Sequence, residues 1–324
     1  LYLRPGSELV RRAGGVQRFS AWHKPILTDS GGYQIFSLAE LNKITPEGLQ
    51  FQSHLDGSRH FFSPEKVVDI QRDLGSDIMM VLDECAPYPC DYHYAVKAHH
   101  LTLDWAARSQ KAFAADGSRF DFQQYQFAIV QGSVYADLRR ESTLRLMDLD
   151  FPGYGIGGLS VGEPKDAMYD LTELCCSLLP ANKPRYLMGV GKPEDLLEGV
   201  ERGVDMFDCI MPTRNGRNGT AFTSHGQIVI KNAKFRDQFG PLAEEGDCYT
   251  CRTFTRAYLR HLFQAEELLV LRLISLHNVA FYLKLMENVR TAIRQGRFRQ
   301  FKKQFLLRYR QAKPGAGHAG TASS

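Results

Sequence analysis

The stretch Val204 to Gly219, VDMFDCIMPTRNGRNG, sets a carboxylate, Asp208, at the end of a short apolar run and follows it with a loop holding Arg214 and Arg217 beside Gly216 and Gly219. A carboxylate can add to a sugar carbon as a nucleophile, and guanidiniums can hold phosphates through forked hydrogen bonds. Together they suit chemistry on a sugar carried by a phosphate backbone. The plainer alternative is a strand-end Asp capping a loop whose arginines are solvated. Asp29 lies in TDSGGYQ, where Ser30, Gly31 and Gly32 let the backbone approach a ligand closely and Tyr33 offers a ring face. Here too a loop-capping Asp is the competing reading. Asp83 and Gln131 could read a purine edge. A carboxylate accepts from the N1 and exocyclic amino hydrogens of guanine, while an amide, or a backbone N–H of Gly158 or Leu159, donates to its O6. Met188 and Tyr33 could sandwich the ring, although a Met at a strand end commonly does no more than pack. Cys85 and Cys209, each within two residues of one of these aspartates, read as small fillers of a pocket wall.

A second group lies downstream. Cys248 and Cys251 are separated by two residues, and His277 follows Cys251 after 26 positions. Two thiolates on a knuckle and an imidazole from a later helix are ligands for a tetrahedral zinc. A complete structural site needs four, and the position two before Cys248, where a further thiolate would stand, is Gly246. An incidental CxxC, a weakened site and a water-completed site all remain open at this point.

The elements that must position these residues share one grammar: a short apolar run ends in polar or glycine residues, and a helical stretch follows. It recurs at Pro25 to Gly32, Asp77 to Glu84, Gln126 to Ser133, Gly153 to Ser160, Arg185 to Gly191 and Asp205 to Pro212. Strands alternating with helices imply parallel βαβ units. Ser63, Pro64 and Gly75 bracket one helix, and Pro164 and Pro193 stand where two others begin. The strand ends supply Asp29, Asp83, Gln131, Gly158, Met188 and Asp208. Chemistry at one end of the strands is the habit of the TIM barrel, favoured here over a doubly wound sheet, which would also align its strand ends. Such a barrel takes eight strands and six are visible, so the expectation is an α/β, TIM (β/α)8 fold incomplete at its amino terminus. Two barrel-closing strands hidden in Gln34 to Phe62 would overturn that.

Residues 1–219 are expected to carry the barrel units and the site. Residues 220–280 would carry a small zinc-binding subdomain, with a hairpin over Thr220 to Ile230 and a helix from about Arg252. Residues 281–313 would form basic helices, with nine Lys and Arg between Arg290 and Lys313 and no acid among them, and 314–324 a disordered tail. A chain of 324 residues, 44% hydrophobic, can bury a large core and is no disordered segment. Seven cysteines, an odd number with Cys175 beside Cys176, do not fit a secreted disulfide framework and suit a reducing cytoplasm. No apolar run is read as approaching the ~20 residues that span a bilayer, so no membrane partner is expected.

TDSGGYQ, DECAPYP, QGS, GGLSVGE, MGVGKPED, DMFDCIMPTRNGRNG and CYTC with its distant His resemble, in order and spacing, the tRNA-guanine transglycosylases, or queuine tRNA-ribosyltransferases, from Leu1 to about residue 300. The resemblance implies a TIM barrel with a zinc-bearing insertion, a homodimer, and a cytoplasmic enzyme that exchanges the wobble guanine of GUN-anticodon tRNAs for a free 7-deazaguanine base in queuosine synthesis. It places the nucleophile on Asp208 and the general acid/base on Asp29. Base recognition falls on Asp83, Gln131, Gly158 and Leu159, with Tyr33 and Met188 stacking. Anticodon-loop contacts fall on Gly189, Val190, Gly191, Lys192, Pro193, Glu194 and Asp195, and on Thr213, Arg214, Asn215, Gly216 and Arg217. Zinc falls on Cys248, Cys251 and His277, with Gly246 in place of the family's first thiolate. Val161 and Cys85 match the bacterial form, which takes preQ1. The competing readings are a non-catalytic tRNA-binding partner subunit or inactive truncated homologue, and a barrel glycoside hydrolase that would leave the basic loop and the CxxC unused.

Overall fold

A computed structural model describes residues 1–34 and 42–311; the tail expected at 314–324 lies outside them. The chain forms two compact units, one of Leu1–Val190 with Arg202–Asp208 and the other of Gly191–Glu201 with the segment from Cys209 onward.

The first unit is built on a six-stranded sheet of β1 (Leu27–Thr28), β5 (Ile78–Met80), β6 (Tyr125–Val130), β7 (Tyr154–Ile156), β8 (Arg185–Leu187) and β9 (Met206–Phe207), paired in that order and all parallel. Each of the six recurring segments supplies one strand. The order decides the fold: each strand neighbours the next of the series without the reversal a doubly wound sheet requires, which is the arrangement of successive units in a TIM-type barrel. Phe127 to Val130, Tyr154 to Ile156 and Leu187 are buried, the continuous apolar signature of parallel strands covered on both faces. They pack with Leu146, Met168, Leu171 and Cys175 from the helices Ala136–Asp148 and Lys165–Leu178.

The helix Pro64–Leu74 is punctuated as its sequence requires. Ser63 accepts from the Lys66 N–H at its start, and Gly75 closes it in the left-handed conformation, φ 71°. From this helix the buried Gln71 reaches under the sheet. Its carboxamide oxygen accepts from Thr28 Oγ1 (2.9 Å) and the Met80 N–H (3.1 Å), and its NH2 donates to the Met80 carbonyl (2.9 Å). One side chain thereby ties β1 to β5, the strands that deliver Asp29 and Asp83.

Between these two strands the chain makes a separate antiparallel sheet of β2 (Asn42–Thr45), β3 (Gly48–Gln52) and β4 (Arg59–Phe62). These strands pair only with one another among the described residues, so none enters the parallel sheet. Leu49, Phe51 and Phe62 pack with Val67, Ile70, Leu82 and Trp105 in a core of their own.

In the second unit β10 (Thr220–Thr223) and β11 (Gly226–Val229) form the expected hairpin, with Thr223 opposite Gly226. Two expectations are corrected. The segment holding Arg214 and Arg217 is a helix, Met211–Arg217, that opens with Pro212 in its first turn. Its buried Gly216 lies so close to the helix Leu268–Arg294 that a Cβ there would come within 2.6 Å of Ser275 Oγ. The helix expected from about Arg252 is in fact two, Tyr249–Thr253 and Arg256–Gln264. A third correction concerns the 27-residue helix Leu268–Arg294, which by length and composition is apolar enough to cross a membrane. Arg272 and Lys284 interrupt its sequence and hid that length. Its buried His277 and Asn278 are hydrogen-bonded to the hairpin region, as in a core helix of a folded unit. The C-terminal helix Phe298–Gln311 carries much of the basic run, and Lys302 pairs with Glu198 at 2.7 Å.

Candidate active site

Asp208 stands one residue past β9, exposed to solvent. Its Oδ1 accepts from the Tyr186 hydroxyl and from the Gly189 N–H, both at 2.7 Å. Oδ2 has no partner among the described residues. Two donors on one oxygen fix the carboxylate plane and leave the other oxygen free to attack. Burial and the charge of Asp208 raise the Tyr186 pKa, so that hydroxyl stays a donor at any physiological pH.

Asp29 follows β1. Its Oδ1 accepts from the Ser30 N–H (2.9 Å) and its Oδ2 from Gln34 Nε2 (2.6 Å). The carboxyl is crowded by protein atoms yet reachable by water, and this partial desolvation raises its pKa, with the Asp208 charge adding to the rise. Asp83, past β5, is buried, with Oδ2 accepting from Gln131 Nε2 at 2.7 Å. Burial above all, then the charge of Asp29, pushes its pKa up to about 7. Asp29 thus feels the charge of Asp208, and Asp83 that of Asp29, so the three carboxylates share one region of the first unit. Gly32 has no room for a side chain because a Cβ would lie 2.7 Å from the Asp83 carbonyl oxygen, which shows how closely the glycine pair brings Asp29's segment against Asp83.

Gly157 and Gly158 lie close against Gln131. A Cβ at Gly158, φ 63°, would lie 2.2 Å from Gln131 Oε1, and one at Gly157 3.6 Å from Met188 Sδ. The Gly158 and Leu159 N–H groups have no acceptor among the described residues, and the buried Gln131 Oε1 is unpartnered as well. Orphaned buried polar groups mark a place where a polar ligand can complete the hydrogen bonding. Tyr33 is exposed, Leu159 and Ser30 are buried, and Met188 is half-buried.

Two residues of this site were missed from the sequence. Tyr186 lies inside the apolar run RYLMGVG, and the alternation that would have aimed it at Asp208 is too short to read in three residues. Arg139, in the helix Ala136–Asp148, is fully buried and donates to the carbonyls of Ser133 (2.8 Å), Gly157 (2.7 Å) and Gly158 (3.1 Å). One guanidinium therefore ties the QGS loop to the GG loop.

The sequence profile described as queuine tRNA-ribosyltransferase matches residues 1–311. The chain belongs to the queuine tRNA-ribosyltransferase family. It is 58% identical over 309 residues to the queuine tRNA-ribosyltransferase of Thermoanaerobacter pseudethanolicus, covering 95% of this chain and 81% of that relative. It is 56% identical over 319 residues to that of Aquifex aeolicus (95% and 82%), and 54% identical over 329 residues to that of Symbiobacterium thermophilum (98% and 81%).

The other positions matched to this family fall into two sets. Lys192, Thr213, Arg214 and Arg217 are exposed, and neither arginine has an ion-pair partner among the described residues. Gly191, Pro193, Asp195 and Gly216 are buried, Val190 is buried, and Gly189, Glu194 and Asn215 have at least part of their surface open. Gly191 lies against Cys209, where a Cβ would come within 2.1 Å of the sulfur, and its carbonyl accepts from the Tyr282 hydroxyl at 2.6 Å.

Cys248, Cys251 and His277 come together as expected. Cys248 caps the helix that carries Cys251. His277 Nε2–H donates to the Phe222 carbonyl (2.8 Å), which leaves the Nδ1 lone pair facing Cys248 Sγ at 3.5 Å and Cys251 Sγ at 3.3 Å. A tetrahedral zinc keeps a sulfur and a nitrogen ligand roughly 3.5 Å apart, so the three donors fit a metal. The neighbouring thiol of Cys251 and the imidazole stabilise negative charge on Cys248 and lower its pKa, which favours the thiolate a metal needs.

Proposed function

We propose that this chain replaces the wobble guanine of GUN-anticodon tRNAs with the 7-deazaguanine base preQ1, by double displacement at C1′ of the nucleotide. The observation that carries the reading is the free Oδ2 of Asp208 beside two carboxyls of raised pKa, in a chain of this family. In the reading, Oδ2 bonds to C1′ as the bond from C1′ to N9 of guanine breaks, and Asp29 in its acid form gives N9 its proton. The incoming base then loses its N9 proton to Asp29 and attacks C1′, releasing Asp208. Two inversions retain the configuration, as in retaining glycosidases. A raised pKa suits a group that both gives and takes that proton.

Asp83 receives the N1 and amino hydrogens of the base, and the Gly158 and Leu159 amides with Gln131 serve its O6. Tyr33 and Met188 cover its faces, and Ser30, Gly31 and Gly32 shape the wall. Cys85 and Val161 support preQ1 over the bulkier queuine. Extruding the base from an anticodon loop costs a few kcal/mol, less than from a duplex. Arg214, Arg217, Thr213, Asn215 and Gly216, with Gly189 to Asp195, would hold the flanking backbone. Zinc on Cys248, Cys251 and His277, a homodimer and a cytoplasmic setting complete the reading and are supported by the family likeness. The presence of both Asp208 and Asp29 disfavours a non-catalytic partner subunit.

The test is incubation with radiolabelled guanine and a GUN-anticodon tRNA. Label entering the tRNA, and its displacement by preQ1 but not by queuine, is expected. No label in tRNA from the folded chain would overturn the reading.

A further inference from the structure

A tetrahedral ion held by Cys248, Cys251 and His277 would have three of its four directions filled, and no other His, Cys, Asp or Glu among the described residues brings a ligand atom into the group. The fourth direction would have a place to open. A cavity of about 140 Å3 in the second unit is lined by Gly246, Cys248 and His277 together with Asp247, Lys284 and Arg308. Residue 246 faces the cluster directly, since a Cβ there would lie 2.6 Å from Cys251 Sγ. Glycine puts only a hydrogen at that wall. The cavity is large enough for several waters or one small molecule. Phe281, Phe301 and Phe305 give it an apolar side, while Lys284, itself paired with Glu287 at 2.9 Å, and Arg308 bring positive charge against Asp247 and Glu245.

We propose that the metal held here is an open site, whose fourth ligand is exchangeable and comes from the cavity: water at rest, and a small thiolate when one is supplied. A divalent ion with two thiolates and a neutral imidazole carries no net charge, so an added thiolate gives the singly negative set of a complete Cys3His site, beside the Lys284 and Arg308 cations. A soft donor with an apolar body matches both the ion and the aromatic wall. The exchange is simple ligand substitution, with water leaving and the thiol's proton passing to solvent. This rests on the metal reading above.

The test uses the full chain loaded with Co2+, whose visible and near-ultraviolet bands report coordination. With 2-mercaptoethanol as the probe, the thiolate-to-cobalt band should rise by about half as two sulfur ligands become three. Gly246→Cys should show the three-thiolate spectrum from the outset and ignore the probe. Cobalt bound with a spectrum that the thiol leaves unchanged in the wild-type chain would mean that a protein group such as Asp247 fills the fourth position, and would overturn the inference while sparing the metal. No cobalt bound at all would overturn both. Should Gly246→Cys fail to fold, the wild-type titration still decides.

Discussion

In the proposed reading, the pH behaviour of base recognition turns on Asp83. Its carboxyl, pushed up to about 7 chiefly by burial, must be ionised to accept two hydrogens from guanine. As the pH falls from 8 to 6 a growing fraction is protonated, so guanine affinity should fall over that interval. Equilibrium binding of labelled guanine at a series of pH values checks this, and Asp83→Asn should bind weakly and without the pH dependence. A flat wild-type profile would take Asp83 out of base recognition. The same shift bears on stability. The folded pKa lies above the unfolded value near 3.8, so the folded state holds the extra proton between them. The stability this gives is present at pH 4 and lost as pH rises through 7, and at about 1.4 kcal/mol per pKa unit it reaches several kcal/mol. A buried carboxyl tolerated at that cost fits a functional group better than a structural one.

The elements explain how such groups stay in place. Gln71 ties β1 to β5, and Arg139 ties the QGS loop to the GG loop, so the strand ends are held by side chains from helices as well as by the sheet. Gly158 is where this packing is tightest, because a methyl would sit 2.2 Å from Gln131 Oε1 at a positive φ. Gly158→Ala should therefore reduce guanine affinity about tenfold or more and lower stability by roughly 1–3 kcal/mol, with the circular dichroism spectrum unchanged. Wild-type affinity in that variant, measured by the same binding assay, would separate Gly158 from the base pocket. The six parallel strands were legible because each apolar run ends in Gly or a polar residue. The strands at 42–62 were not, since their short antiparallel runs carry no such ending and answer to Trp105 and Leu82 far along the chain. PTRNGRNG reads as a loop by its turn-forming residues, and the close packing of Gly216 on Ser275 overrides that preference. Arg139 was unreadable for a related reason: nothing in a polar helix that also carries Arg140 and Arg145 tells which arginine is buried.

For the whole molecule the modest charge of +4 understates the affinity for an anionic polymer, because exposed Arg214 and Arg217 carry local charge without ion-pair partners among the described residues. Arg217→Ala should weaken tRNA binding and lower the slope of log affinity against log salt by about one. A slope equal to that of the wild type in filter binding would leave Arg217 without a phosphate. The aspartates were legible from sequence as separate strand ends; that three of them share one region needed the fold, since β1 and β9 are the two edges of the six-stranded sheet and yet the charge of Asp208 acts on Asp29 and that of Asp29 on Asp83. The most direct test of the account is the covalent bond itself. Wild-type chain incubated with tRNA should give an adduct that survives denaturation, and Asp208→Asn should give none while binding tRNA nearly as well. A denaturation-resistant adduct formed by Asp208→Asn would contradict the account.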